Sequence, residues 1–246
     1  IADALKELDM QGRRLAGLHA ASGTLPAGGS DSVRLTVLGI VLRSVGLPET
    51  YAQAKFCLFL RDKGFYDAVR KAVEDQGKDF RRELQDLFVS PVLHDALIAV
   101  DSGYSDRNAV RELLKHQFPQ PTDITTADMI ATIREALSRD GELPCTIIVL
   151  DEVQLYIGDS TDRATQVVEI AEAICKQLDS RVMLVGAGQN ALGAQTAQFG
   201  KLRDRFTIPI ELSDADVETV TRRVLLAKRP EAVDAIRKTL EGHAGE

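Results

Sequence analysis

CTIIVLDEVQ, residues 145–154, decides the reading of this chain. Its first six positions form a nearly unbroken apolar run, bounded by Pro144 before it and by Asp151 and Glu152 after it. A short, β-rich apolar run between such signals is the pattern of a strand buried in a parallel sheet. Ligands of open α/β sheets bind at the carboxyl ends of the strands. The spacing therefore places Asp151 and Glu152 at a ligand-binding edge. Two carboxylates are costly to bury beside a core strand unless a cation or a positioned water meets them.

Downstream, Ala164, Val167, Val168, Ala171, Ile174, Cys175 and Leu178 recur at helical spacing. A second apolar run, RVMLV at 181–185, predicts a second strand, and 207–210 predicts a third. Ser213 with Asp216 three residues on resembles a capping box and opens a further helix. Strands alternating with helices imply crossover connections and a parallel sheet.

Upstream, residues 1–140 read as mostly helical. Residues 17–29, GLHAASGTLPAGG, break the pattern and read as a loop. Val33, Val37, Ile40, Val41 and Val45 follow at helical spacing, with Ser30 or Asp31 as N-cap. Val33, Leu35 and Val37 also alternate, which leaves a strand open there. Helical runs follow at 51–62, 66–75, 80–88, 92–100, 108–116 and 126–138. The expected architecture is α/β: a helical segment over 1–140, a small parallel sheet within 141–212, and a helical tail over 213–246 that can begin a lid.

The 246 residues are 44% apolar and 27% charged. That is ordinary globular composition, long enough for a core without staples. The formal net charge is −7, which argues against nonspecific nucleic-acid binding. Mean hydropathy is −0.09. No stretch approaches the roughly 20 apolar residues of a membrane helix. No signal peptide opens the sequence, and Ile at position 1 fits a piece of a longer protein. Cys57, Cys145 and Cys175 form neither a disulfide framework nor a zinc knuckle, which fits a reducing cytoplasm. His19, His94, His116 and His243 fall in no metal pattern.

Aliphatic residues running into Asp-Glu match the acid strand of ATP hydrolases. There the first acid holds Mg²⁺, usually through water, and the second polarises the water that attacks the γ-phosphate. AAA+ ATPases place a polar sensor at the end of a neighbouring strand, where Gln189 or Asn190 follows Gly186-Ala187-Gly188. Arg203 and Arg205 precede the next expected strand, where an arginine can act as a finger on a neighbouring subunit's nucleotide.

LDEVQLYIGD, then a long helix, VGAGQNAL, and DRFTIPIELSDADVETVTRRVLLAKRP together resemble the P-loop ATPase of BREX phage-defence systems, of the PglY/BrxC type. The resemblance covers about residues 140–230. It implies an AAA+-like ATPase that uses ATP and Mg²⁺ and acts with other defence proteins against phage DNA. Asp151 and Glu152 match its Walker B pair, with Asp151 on Mg²⁺; Gln189 matches its sensor, and Arg205 is the candidate finger. A homo-oligomer and any direct DNA contact stay open.

One part of the pattern is missing. A phosphate loop reads G-x-x-x-x-G-K-[ST], and residues 23–30 carry glycine where lysine belongs. With no apolar strand before it, that segment reads as an ordinary loop, and the family's phosphate loop is expected before residue 1. The chain alone is then expected to be inactive. Two alternatives remain. One is a noncatalytic assembly module. The other is a dinucleotide fold, in which Gly186-x-Gly188-x-x-Ala191 is the fingerprint and Glu211 the ribose acid. Against the latter, a strand ending in Asp-Glu precedes the fingerprint and only helical sequence follows Glu211.

Overall fold

The computed structural model describes residues 2–27 and 32–188, together with 206–208, 210, 218–221, 223 and 233. The chain divides into two units, 1–205 and 206–246, and every element below lies in the first. In chain order these are α1 (Ala2–Gly12), a short 3-10 turn (Arg13–Leu15), β1 (Leu18–Thr24), α2 (Val33–Ser44), α3 (Tyr51–Asp62), α4 (Tyr66–Glu74) and α5 (Phe80–Gln85). Then come α6 (Pro91–Val100), α7 (Arg107–Gln117), α8 (Thr126–Leu137), β2 (Cys145–Asp151), α9 (Val153–Ile157), α10 (Thr161–Gln177) and β3 (Val182–Gly186).

The three strands form one parallel sheet in the order β1-β2-β3. Ala21 lies opposite Ile148, and Ile148 opposite Leu184. The acid-bearing strand is therefore the central one. The sheet has the expected class, but one of its strands comes from an unexpected place. Residues 18–24, read from sequence as part of a loop, are a strand. The reason lies in packing. The positions of LHAASGT that face α2, Ala21 and Gly23, are small because the helix lies directly on them: a Cβ on Gly23 would sit 2.6 Å from Ile40 Cγ1. Close helix–strand approach thus removed the large side chains by which a strand is recognised.

The expected strand at 207–210 is not one at its described residues. Phe206 and Thr207 form a bend, and Ile208 and Ile210 lie in no regular structure and are exposed. Pro209 has no N–H to give a ladder.

The helices begin where polar caps satisfy their first N–H groups. Ser32, not Ser30 or Asp31, caps α2 by accepting the Leu35 N–H at 3.3 Å. The helical reading of that segment holds against the strand alternative. Asp79, Ser90, Asp106, Thr125 and Ser160 cap α5, α6, α7, α8 and α10 in the same way. Pro91 at the start of α6 supplies a preset φ where no N–H is needed.

α2, α8 and α10 pack on one another, with α2 against β1 and α10 against β3. α2 and α10 cover the sheet face bearing Ala21, Thr146, Ile148, Leu150, Val182 and Leu184, all buried, and α8 packs behind them. The other face carries Ile147 and Met183, which are 36% and 61% exposed. Helices α3 to α7 form an insert between α2 and α8. Phe56 and Phe59 each meet Phe118 at 5.6 Å between ring centroids, which ties α3 to the end of α7. No described helix is long and apolar enough to cross a membrane.

Candidate functional site

β2 delivers Asp151 and Glu152 to the carboxyl edge of the sheet, between the ends of both neighbouring strands. Thr24 lies opposite Asp151, and the Leu25 N–H donates to the Asp151 carbonyl at 3.1 Å. On the other side the Ala187 N–H donates to the Leu150 carbonyl at 2.8 Å, and the Val153 N–H to the Ala187 carbonyl at 3.1 Å. Both strand ends are thereby stitched to the turn that holds the acids.

That turn is a sharp strand-to-helix elbow. Glu152 has φ 56° and ψ 32°, in the left-handed region, and α9 starts at the next residue. Its N–H donates to Asp151 Oδ1 at 2.8 Å. Left-handed backbone costs a residue with a Cβ roughly 1–2 kcal/mol. Such conformations persist where the surroundings enforce them, and they cluster at functional sites. The surroundings here are the stitches to Leu150 and Ala187 and the anchoring of α9. Tyr156 is buried, Arg163 stacks 5.4 Å from its ring centroid, and Arg163 Nη1 donates to the Tyr156 carbonyl at 3.0 Å. Close to the acids, Gln154 has its Oε1 buried without a hydrogen-bond partner among the described residues.

The two carboxylates are not buried as a pair. Asp151 is exposed and Glu152 half-buried. Asp151 continues the row of Ile147 and Val149, on the face opposite α2 and α10. The desolvation argument for an obligatory cation therefore does not apply to Asp151. Its chemistry still suits magnesium, which keeps several waters and needs only one or two carboxylates beside phosphate oxygens. Among the described residues no group of three or more His, Cys, Asp or Glu converges.

Gln189 and Arg205, the expected sensor and finger, lie outside the described residues, as do Asn190, Ala191, Arg203 and Glu211. Of the glycine fingerprint, Gly186 ends β3 and Ala187 uses both backbone groups to join the end of β2.

Gly23 and Thr24 end β1, and the stretch after them precedes α2, with 28–31 outside the described residues. The glycine-spaced loop thus has the strand–loop–helix setting that the sequence seemed to deny it. The start of α2, however, already faces a carboxylate of its own chain. Ser32 Oγ donates to Asp123, and the Ile124 N–H donates to Asp123 Oδ1 at 2.8 Å. Arg34 Nη1 donates to Asp123 Oδ2 at 2.7 Å, and Arg34 Nε to Thr126 Oγ1 at 3.1 Å. Arg34 also reaches Glu169 on α10 at 3.5 Å. Partial burial raises the Asp123 carboxyl pKa. The bonds from Ser32 and Ile124 and the Arg34 charge outweigh that and hold it below the usual carboxylate range. Helix N-termini attract anions, and here the Asp123 carboxylate stands beside the first residues of α2.

Beside this network a half-open cavity of about 820 Å³ lies between β1 and α2, with Thr24, Pro26, Leu35, Arg43 and Pro121 among its lining residues. Arg43 bridges its rim, donating to the Ser22 carbonyl at 3.0 Å and to Glu49 at 3.2 Å. Neither the cavity nor the Asp123 network was visible in the sequence, because both join segments far apart in it. The one local signal was the Ser32 cap. No family model matches this chain, and no curated protein and no solved structure matches it either.

Proposed function

We propose that this chain is the acid-strand part of an AAA+-like ATPase core serving a BREX-type phage-defence system in the cytoplasm. The observation that carries the proposal is the placing of Asp151 and Glu152. They stand at the carboxyl end of the central strand of a parallel sheet, with Glu152 held in a left-handed elbow between two strand ends. In this reading Asp151 holds Mg²⁺ through water, and the ion would neutralise charge on the ATP phosphates. Glu152 orients the water that attacks the γ-phosphate. The sequence resemblance assigns Gln189 as sensor and Arg205 as finger toward a neighbouring copy in a homo-oligomer. Other defence proteins are the partners, and phage DNA is reached through them.

The reading requires a lysine-bearing phosphate loop, and this sequence contains none. The Asp123 carboxylate bonded to Ser32 and Arg34 at the start of α2 supports the absence of a phosphate site after β1. Calorimetric titration of the chain with ATP, with and without Mg²⁺, is expected to show no micromolar binding. Micromolar binding would mean that a lysine-free site works here. The same titration with NAD tests the dinucleotide reading. A noncatalytic assembly module is the second reading, and the exposed apolar residues Ile147 and Met183 on the sheet favour it.

A further inference from the structure

We draw no further inference here: the strongest candidate, the uncovered sheet face where Ile147 lies beside Met183 and Val149 beside Val185, carries nothing because nothing in the structure shows what covers it.

Discussion

Replacing Glu152 by glycine should make the chain more stable while removing the carboxylate that the proposed reaction uses. Glu152 sits at φ 56° and ψ 32°, where a Cβ costs roughly 1–2 kcal/mol and glycine has no such penalty. Glycine loses about 0.5–1 kcal/mol more conformational entropy on folding. The backbone bond from residue 152 to Asp151 Oδ1 survives the change, since it uses the main-chain N–H. The net expectation is a gain of about 0.5–1 kcal/mol. At roughly 2–4 °C per kcal/mol for a domain of this size, the melting midpoint should rise by about 1–4 °C. Scanning calorimetry or urea titration measures it directly. Ala16 is the control. It sits in the same region at φ 59°, away from the acid pair, and Ala16→Gly should give a similar gain. If Ala16→Gly raises the midpoint and Glu152→Gly lowers it, the Glu152 side chain makes structural contacts that outweigh its strain. The elbow would then be an ordinary part of the fold rather than strain held for function.

Two further substitutions test the parts of the site that sequence did not show. Gly23→Ala places a methyl group 2.6 Å from Ile40 Cγ1 and should cost about 1–3 kcal/mol by overpacking, partly relieved by Ile40→Val; a neutral Gly23→Ala in a thermal melt would remove α2 from the position over β1. Asp123 has a carboxyl pKa lowered by folding, so its contribution to stability is present above the ordinary carboxylate range and is lost as pH falls through its lower folded value. Asp123→Asn should therefore flatten the acid limb of a stability-against-pH curve, and an unchanged limb would show that Arg34 and Ser32 do not hold that carboxylate.

How far the fold could be read in advance followed the size of the side chains. β2, β3 and α10 carry long aliphatic runs or an apolar helical stripe, and each was legible from sequence. β1 was not, because contact with α2 left it Ala21 and Gly23 on its inward face, and its outward residues Ala20 and Ser22 are small as well. Residues 207–210 misled in the opposite direction. Ile208 and Ile210 alternate like a strand, yet Pro209 interrupts the ladder such a strand would need. The placing of Asp151 and Glu152 at a strand end was legible. The exposure of Asp151 was not, since it depends on which sheet face the helices cover. The Arg34–Asp123 pair spans 89 residues and leaves no mark in local sequence.

The most direct test of the central claim separates the two acids. It uses the protein in a form that also supplies a G-x-x-x-x-G-K-[ST] loop, and follows ATP binding and turnover side by side. Glu152→Gln keeps the shape of the side chain and removes its charge; it should retain ATP and slow hydrolysis by about 10²–10⁴-fold, the usual size of a lost general-base or water-orienting group. Asp151→Asn should weaken both binding and turnover, because it would disturb the magnesium shell proposed for that carboxylate. If both variants hydrolyse ATP at the parent rate, the acid pair has no part in the reaction and the chain is an assembly module.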